Sequence, residues 1–434
     1  MTAPSQKRIL LWFRGNLRIH DNVLLASLPV STETIIPVYI CNPVQYADTR
    51  YGFPKTGKFR KSFIQQGVLA LQQNLQKTGS SLIIASGNPA DILKNLAEKT
   101  NADSLFYTRE HTPEELLEEL QVRKLLTGLN LQSFEQRSLI HPSDLPFMLS
   151  RLPDVFTPFR KEIEKNLTVR QPLPVPYILP PLADEVKNFQ NDFSAMGGGE
   201  IFTPDARAVL SFNGSEEAGL KRLNHFFFES RAVASYKETR NGMLGADYSS
   251  KLSPWLATGA ISPRLIYSEL KRFEQEYGAN ESTYRLLFEL LWRDFFRFVA
   301  MKYGALIFQR RGIRGSGANS RISQNAFTQW AVAKTGEPFI DANMTELNLT
   351  GYMSNRGRQN TASYLIHNLN GDWLTGAAYF ESLLIDYDPC SNWGNWMYLA
   401  GVGNDPREKR IFNTEGQARL YDPQGEYISH WLTA

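Results

Sequence analysis

The chain has 434 residues, 42% of them hydrophobic, and a formal net charge of +3. This length allows about two to three domains with sizeable cores, and the small net charge is only a weak indicator of nucleic-acid binding. Two cysteines exclude a disulfide framework or a zinc cluster, and no group of histidines has the spacing of metal ligands, so we expect no metal site.

The N-terminal residues carry only a short apolar run, ILLWF, before Arg14. Such a run is too short for the apolar region of a signal peptide, and no later stretch approaches the length of a membrane span. We therefore expect a soluble, cytoplasmic protein without a membrane segment.

The first third of the chain alternates apolar runs with amphipathic stretches. Buried strands are predicted at residues 9–13, 34–40, 81–86, 104–107 and 131–135, and helices at 58–76, 90–99 and 112–127. This alternation predicts an α/β fold with a doubly wound parallel sheet, which binds ligands in the loops after its strands. Without a G-x-G-x-x-G sequence, a dinucleotide site of the Rossmann type is not expected in this half.

A stretch rich in proline and glycine, residues 171–204, separates this region from one with a different pattern. Beyond residue 208 the strand signals fade, and the 3.6-residue period of helices appears. The helical stretches are 216–230, 263–277, 282–302, 360–368 and 376–385. The C-terminal half is therefore predicted to be all-helical.

Three serines, Ser249, Ser250 and Ser253, lie in a short polar segment before a predicted helix. Ser253 followed by Pro254 has the form of an N-cap and a first helical residue. A helix start with nearby hydroxyls suits a phosphate group, although an ordinary capped helix explains the same pattern.

Glu289, Trp292 and Arg293 are spaced so that they share one face of a predicted helix. A buried carboxylate and guanidinium are costly unless they pair or meet a ligand. This face is therefore either a ligand site or an intrahelical ion pair at a domain surface.

The segment GYMSNRGRQN concentrates hydrogen-bonding groups, among them Asn355, Arg356, Arg358 and Gln359. Arg358 suits bidentate binding of a carboxylate or a phosphate. The alternative is a solvated polar turn.

In LLIDYDPCSNWGNWMY, Asp388 and Pro389 again have the form of an N-cap and a first helical residue. Asn392 and Trp396 then follow on one helix face, so that Asp386, Asp388, Asn392 and Trp396 approach one ligand together. Metal binding is disfavoured because no third carboxylate or histidine has ligand spacing.

Five stretches, in this order, resemble the motif set of the photolyase/cryptochrome family: residues 12–22, 239–264, 288–304, 334–360 and 384–396. The variants NRGRQN, YKETRNGM and DYDPCSNWGNW are similar to the cryptochrome DASH branch. The resemblance implies an α/β antenna-binding domain over 1–136, an interdomain linker over 137–208 and a helical FAD-binding domain over 209–434.

The resemblance also implies roles for individual residues. FAD would be bound by Tyr236, Ser249, Ser250, Lys251, Leu252, Ser253, Arg293, Asn355, Arg358, Asp386, Asp388 and Asn392, with Asn392 at the flavin N5. A substrate cavity would be formed by Glu289, Trp292, Gln359 and Tyr398, and Glu289, Trp292 and Asn392 would act in catalysis. Glu110 would contact a methenyltetrahydrofolate antenna.

The implied activity is light-driven repair of cyclobutane pyrimidine dimers by electron transfer from reduced FAD, preferably in single-stranded DNA, by a monomer. A blue-light photoreceptor or a DNA-binding regulator with the same flavin pocket is the alternative. The basic stretch 301–320, with Lys302, Arg310, Arg311 and Arg314, is expected to contact the phosphate backbone near the cavity.

Two positions depart from the family pattern. Trp396 and Trp373 match the inner and middle members of its electron-transferring tryptophan chain, but the outer position is Ser320. Serine cannot be oxidised in place of an indole, so we expect weaker photoreduction than with tryptophan there. Asn16 also stands where an aspartate is common.

Overall fold

The apolar runs near the start of the chain form a parallel β-sheet. The structure, a computed structural model, describes residues 7–198, 200–315, 324–405 and 410–433. The sheet has the order β3-β2-β1-β4-β5. Its strands are β1 (Arg8–Trp12), β2 (Thr34–Cys41), β3 (Ile83–Ser86), β4 (Ser104–Thr108) and β5 (Asn130–Phe134).

The sheet is covered on both faces, as its continuous apolar runs require. Alternate residues of β1 point to opposite sides, so that Ile9 and Leu11 belong to one buried cluster and Leu10 and Trp12 to another. The covering helices of this half are α1 (Val23–Ala26), α2 (Lys58–Lys77), α3 (Pro89–Thr100) and α4 (Pro113–Leu125). The predicted doubly wound α/β fold is confirmed.

The connection between the halves is mostly irregular but contains the α-helix α5 (Phe156–Lys165) and short 3-10 turns. Phe156 and Phe159 on this helix belong to the largest buried cluster, which is otherwise built mainly from the C-terminal half. The domain bounds inferred from the sequence stay a prediction.

The C-terminal half is helical, as predicted. Its helices are α6 (Glu216–Asn224), α7 (Tyr236–Thr239), α8 (Ser253–Thr258), α9 (Pro263–Tyr277), α10 (Glu281–Tyr303), α11 (Gln324–Ala331), α12 (Pro338–Thr350), α13 (Asn355–Ser363), α14 (Trp373–Leu383), α15 (Pro389–Leu399), α16 (Thr414–Tyr421) and α17 (Glu426–Leu432). Single π-helical turns, His225–Glu229 and Tyr364–Asn368, extend α6 and α13.

The loop after β1 packs directly against the helical half. Gly259, which ends α8 with φ of 70°, lies so close to this loop that a Cβ atom on it would meet the Gly15 carbonyl oxygen at 1.9 Å. Only glycine allows both the left-handed backbone and this approach. Arg18, fully buried, donates a hydrogen bond to the Gly259 carbonyl oxygen (2.7 Å).

A buried carboxylate fixes the same contact. Glu216 at the start of α6 accepts hydrogen bonds from the backbone N–H groups of Ile19 (3.0 Å) and His20 (3.1 Å) and from the Asn74 side chain (3.1 Å). These bonds orient the carboxyl end of the sheet toward the helical half, where the main cavity lies.

Candidate functional site

The helical half contains a cavity of about 550 Å³, within the usual range for small-molecule sites of about 300–1,000 Å³. Helix α10, capped by Asn280, brings Glu289, Trp292 and Arg293 to its wall. The other sequence-predicted residues on this wall are Tyr236, Ser249, Ser250, Lys251, Leu252, Ser253, Asn355, Arg358, Gln359, Asp386 and Tyr398.

A second cavity of about 100 Å³ adjoins the first, because both are lined by Asn355, Arg358, Gln359 and Asp386. Asp388, Asn392 and Trp396 line this smaller space. The predicted cofactor and substrate residues are thus brought together, while Glu110 and Trp373 lie outside both walls.

The serine-containing segment is held in place by Arg222 of α6. Its guanidinium donates to the carbonyl oxygens of Ala246 (3.0 Å), Ser249 (2.9 Å) and Ser250 (2.9 Å), and to the carboxylate of Asp247 (2.7 Å). Sequence reasoning missed Arg222, because its acceptors are mostly backbone carbonyl oxygens, which every residue type has and which the sequence therefore does not reveal.

His225, one residue beyond α6, supports the same segment. Its two ring nitrogens contact Asp247 (3.0 Å) and Glu229 (2.9 Å). The hydrogen bond with Asp247, followed by that with Glu229, raises the pKa of His225 above its ordinary value. The Asp247 carboxylate therefore ties two basic side chains of α6 and its extension to the cavity wall.

The predicted N-cap at Ser253 is wrong. Helix α8 is preceded by Leu252, whose side chain makes no cap hydrogen bond, and Ser253 is its first residue. The Ser253 hydroxyl instead donates to Asp386 Oδ2 (2.6 Å), which also accepts a hydrogen bond from Arg358 (2.9 Å). A tertiary partner, more than a hundred residues away in sequence, has replaced the local cap.

The polar cluster after Gly351 is not a solvated turn. Helix α13 begins at Asn355, and the Ser354 hydroxyl caps it by accepting from the Gly357 N–H (3.0 Å). The helix therefore presents Asn355, Arg358 and Gln359 to the cavity, and the acidic partner that the local sequence of Arg358 lacks is Asp386.

Lys251 is a buried amine on the cavity wall. Its backbone has φ of 53°, and its Nζ lies 3.1 Å from the centre of the Tyr248 ring. Burial, followed by the nearby Arg222, lowers the pKa of Lys251 to about 6. An anionic ligand would offset this cost and favour the ammonium form.

Asp388 caps α15 as predicted, by accepting from the Ser391 N–H (2.9 Å). Although burial alone would raise its pKa, Arg297, Arg293 and Arg137 lower the pKa of Asp388 well below its usual value. Arg297 lies 3.4 Å from Asp388 and 3.3 Å from Glu110.

Glu110 is consequently part of an ion-pair network between the two halves. Its Oε1 accepts a hydrogen bond from Arg137 (2.6 Å), and its side chain is buried. Burial would raise the pKa of Glu110, but Arg137 and Arg297 outweigh this effect and lower it. The loop after β4 is thereby connected through Arg297 to the first turn of α15.

Aromatic rings shape one wall of the main cavity. Trp292 stacks on Phe156 of α5, with ring centroids 3.8 Å apart and planes 11° apart, and its edge meets Tyr398 at 6.0 Å. Stacking holds the indole in one orientation. Glu289, one turn before Trp292, pairs with Arg285 (2.9 Å) and Arg240 (3.2 Å).

The tryptophans matched to electron transfer have aromatic neighbours. The centroid of Trp396 is 6.1 Å from that of Trp330, and the centroid of Trp373 is 6.1 Å from that of Trp393. Both Trp396 and Trp373 are buried. Ser320 lies outside the described residues.

The described part of the basic stretch after residue 301 extends to residue 315, and its contact with a DNA backbone stays a prediction. Lys302 pairs with Asp154 and Arg310 with Asp372, at 2.8 Å each, and within this part no basic side chain lines the cavity. The arginines on the wall that sequence reasoning missed are Arg240, Arg285 and Arg410. They are distant in sequence, so that no local cluster of charge marks them.

The chain combines an α/β half built on a five-stranded parallel sheet with a helical half that contains a polar cavity. Comparison with protein families assigns both halves to the same class of protein. Residues 9–177 match the DNA photolyase model, and residues 286–434 match the model of the FAD binding domain of DNA photolyase. The chain belongs to the photolyase/cryptochrome family.

Within the family, the chain is similar to cryptochrome DASH proteins. The cryptochrome DASH of Synechocystis sp. is 49% identical over 98% of this chain and 87% of its own length. The crystal structure of a Synechocystis sp. cryptochrome superimposes with a TM-score of 0.95, at 48% identity over 99% of this chain and 89% of that one. A class III photolyase from Agrobacterium tumefaciens gives 0.84 at 28% identity, over 99% and 87% of the two chains.

The polar groups of the cavity fit FAD. Asp386 Oδ1, Arg356 Nε and Lys251 Nζ are buried without a hydrogen-bond partner among the described residues. These acceptors and donors suit a ligand that carries both amide-like groups and phosphates. Over the described ranges, the chain has no helix that is both long and apolar enough to cross a membrane.

Proposed function

We propose that this protein is a blue-light-driven lyase that repairs cyclobutane pyrimidine dimers, preferably in single-stranded DNA, with FAD as cofactor. The observation that carries the proposal is the placement of Glu289 and Trp292 on the wall of the cavity that also contains Arg358 and Asp386. An acid and an indole beside a flavin pocket suit a flipped-out pair of bases better than a plain structural core.

The cofactor residues fall into two groups. Ser249, Ser250 and Lys251 lie on the segment held by Arg222 and would bind the FAD phosphates. The pair of Arg358 and Asp386, with Asp388 and Asn392 of α15 and its cap, would hold the flavin and its ribityl chain. The other proposed cofactor residues on the cavity wall are Tyr236, Leu252, Ser253, Arg293 and Asn355.

When bound and reduced, FAD supplies on excitation the electron that splits the dimer and takes it back afterwards. The side chains position the lesion. Trp292, fixed by Phe156, offers a flat surface for the bases, and Tyr398 closes one side. Glu289 and Gln359 accept or donate hydrogen bonds at the base edges.

Single-stranded DNA is the favoured substrate because a base that is already unpaired avoids most of the extrusion cost of a few kcal/mol. We propose further that a methenyltetrahydrofolate antenna binds near Glu110, in the loop after β4, and that the protein acts as a monomer. Support for the antenna position comes from the sheet, since such loops form the usual ligand site of a doubly wound fold.

The test is repair of a thymine dimer in a single-stranded oligonucleotide by the purified, chemically reduced protein. Recovery of thymine absorbance is expected under blue light and not in darkness. Glu289→Ala should slow recovery about 10- to 100-fold, because it removes the charged group that accepts hydrogen bonds from the bases. Glu98→Ala, which removes an exposed glutamate from α3, should not.

Absence of light-dependent recovery by protein with reduced FAD bound would refute the proposed lyase. The photoreceptor alternative, which uses the same cofactor without repair, would then be preferred. Equal rates of light-dependent recovery in wild type and Glu289→Ala would instead show that the protein repairs dimers but that Glu289 has no role in repair.

A separate prediction concerns the supply of electrons by Trp396 and Trp373. We expect photoreduction in Ser320→Trp to be faster than in wild type, because an oxidisable indole is restored at the outer position. Adding Trp396→Phe should abolish the gain. The measurement is flavin absorbance during illumination with an external reductant, and equal rates in wild type and Ser320→Trp would contradict the prediction.

A further inference from the structure

The wall of the main cavity is strongly cationic. Among the described residues it carries seven basic side chains, Lys251, Arg240, Arg285, Arg293, Arg356, Arg358 and Arg410, and two acidic ones, Glu289 and Asp386. Asp386 is bound to Arg358 at the buried end of the site. Arg410 pairs at 2.8 Å with Asp405, which does not line the cavity, so that Glu289 is the wall carboxylate that contacts Arg240 and Arg285.

Glu289 is shared by two arginines from different segments. Arg285 lies one turn earlier on α10, at 2.9 Å, and Arg240 follows α7, at 3.2 Å. All three side chains reach solvent, with exposed fractions of 26% for Arg285, 19% for Arg240 and 30% for Glu289. The Glu289 carboxylate thus forms ion pairs with both guanidinium groups at the cavity surface.

We propose that Glu289 masks Arg240 and Arg285 in the free protein, and that both arginines transfer to DNA backbone phosphates when a nucleotide enters the cavity, leaving Glu289 free for the bases. This inference rests on the proposed function. It adds two phosphate-binding residues to that function, and a way for the protein to distinguish damaged from undamaged strands. An undamaged strand, which offers Glu289 no dimer, has to compete with this carboxylate for the arginines.

The exchange is physically inexpensive. Partly exposed ion pairs contribute little net stability because water competes for both partners. The order of Arg285 and Glu289 on the helix, with the basic residue first, is also the less favourable one for a pair four residues apart. Both guanidinium groups contact Glu289 through its Oε1, whereas a phosphodiester offers paired oxygens that suit bidentate contact with a guanidinium.

The position of the arginines fits phosphates that flank the bound bases. A nucleotide whose base reaches Glu289 necessarily carries its own phosphates to the entrance of the cavity, at most a few bonds away. Arg285 is held over the Phe288 ring, with its guanidinium carbon 4.1 Å from the ring centre, so it remains near this entrance after leaving Glu289.

The test is binding of undamaged, labelled oligothymidine to the FAD-containing protein in darkness, followed by fluorescence anisotropy at several salt concentrations. Glu289→Gln is expected to bind about 3- to 10-fold more tightly than wild type, because the competing carboxylate is lost. Its salt dependence should be steeper by roughly 0.7 for each arginine released. Glu98→Gln, with the same charge change at a side chain 66% exposed on α3, controls for overall charge.

A second variant identifies the arginines. Arg285→Gln is expected to bind DNA more weakly than wild type. When it is combined with Glu289→Gln, it should remove about half of the increase in affinity and about half of the increase in salt dependence that Glu289→Gln produces alone. Thermal unfolding and flavin content of each variant verify that the chain is folded. These variants alter partly exposed side chains, so folding should be retained.

The outcomes separate the two proposals. Masking is overturned if Glu289→Gln binds DNA no more tightly than Glu98→Gln. It is also overturned if adding Arg285→Gln leaves the affinity of Glu289→Gln unchanged. The proposed repair activity can still stand in both cases. If neither wild type nor Glu289→Gln binds single-stranded DNA, both the masking and the proposed DNA substrate are overturned.

Discussion

Replacement of Asp386 by alanine is expected to give a protein that purifies without flavin. The Asp386 side chain is only 2% exposed, and its Oδ2 joins Ser253 to Arg358 at the boundary of the two cavities. Its loss leaves Arg358 without its acidic partner, at a cost of about 3 kcal/mol, the lower end for buried pairs because Arg358 is partly exposed. The measurement is the ratio of flavin to protein absorbance.

Asp21→Ala provides a matched control. Asp21 is also a buried carboxylate, bound to Arg264 (3.0 Å from Oδ2 to Nε), but it lies at the contact between the halves and not on either cavity wall. Both variants should lose unfolding free energy, whereas only Asp386→Ala should lose flavin from its folded fraction. Full flavin occupancy in Asp386→Ala would show that the pair with Arg358 is not required for the cofactor.

Asp386→Asn separates charge from shape. Asparagine retains an oxygen that accepts from Ser253 but cannot neutralise Arg358. An intermediate flavin content is therefore expected. A content as low as that of Asp386→Ala would indicate that the charge alone is decisive.

The sheet could be predicted from the sequence because each strand is a short apolar run between polar turns. Residues 9–13 and 34–40 differ from the observed β1 and β2 by one residue at most at each end. The helical pattern of α9, Pro263–Tyr277, matches its predicted range. In these elements a local periodicity determines the structure, because burial of one face dominates the free energy.

Contacts between distant segments could not be predicted in this way. Ser253 has the local pattern of an N-cap, yet its hydroxyl is bound to Asp386, and the helix begins one residue earlier than the pattern predicts. The family resemblance did assign both Arg358 and Asp386 to the cofactor, but neither local segment indicated that the two side chains pair. Arg240 was missed because its partner Glu289 comes close only once α7 and α10 are packed together, whereas Arg285 lies four residues before Glu289 on α10 and was overlooked despite this spacing.

Arg222 links the packing of the two halves to the cavity. Helix α6 begins with Glu216, which accepts hydrogen bonds from the loop after β1, and ends near Arg222, which holds the segment 246–250. The position of the serines on the cavity wall therefore depends on a helix that is itself fixed by the α/β half. A residue outside both cavity walls is therefore expected to influence cofactor binding.

Arg222→Ala is accordingly expected to weaken flavin binding about 10- to 100-fold, because three carbonyl oxygens and the Asp247 carboxylate lose their donor and the segment populates its binding conformation less often. The unfolding free energy should fall by about 3 kcal/mol, since the carbonyl groups are only partly compensated by water. Flavin affinity is measured by reconstitution of the flavin-free protein, and stability by denaturant unfolding.

Two comparisons make this result specific. Arg222→Lys keeps the positive charge but replaces the planar fork of donors by a single ammonium, so it should recover only part of the affinity. Arg264→Ala removes an arginine bound to Asp21 at the contact between the halves, and should lower stability without a comparable loss of flavin. If Arg264→Ala weakened flavin binding as much as Arg222→Ala, general destabilisation would account for both, whereas a selective loss in Arg222→Ala would establish that the cavity wall is ordered through α6.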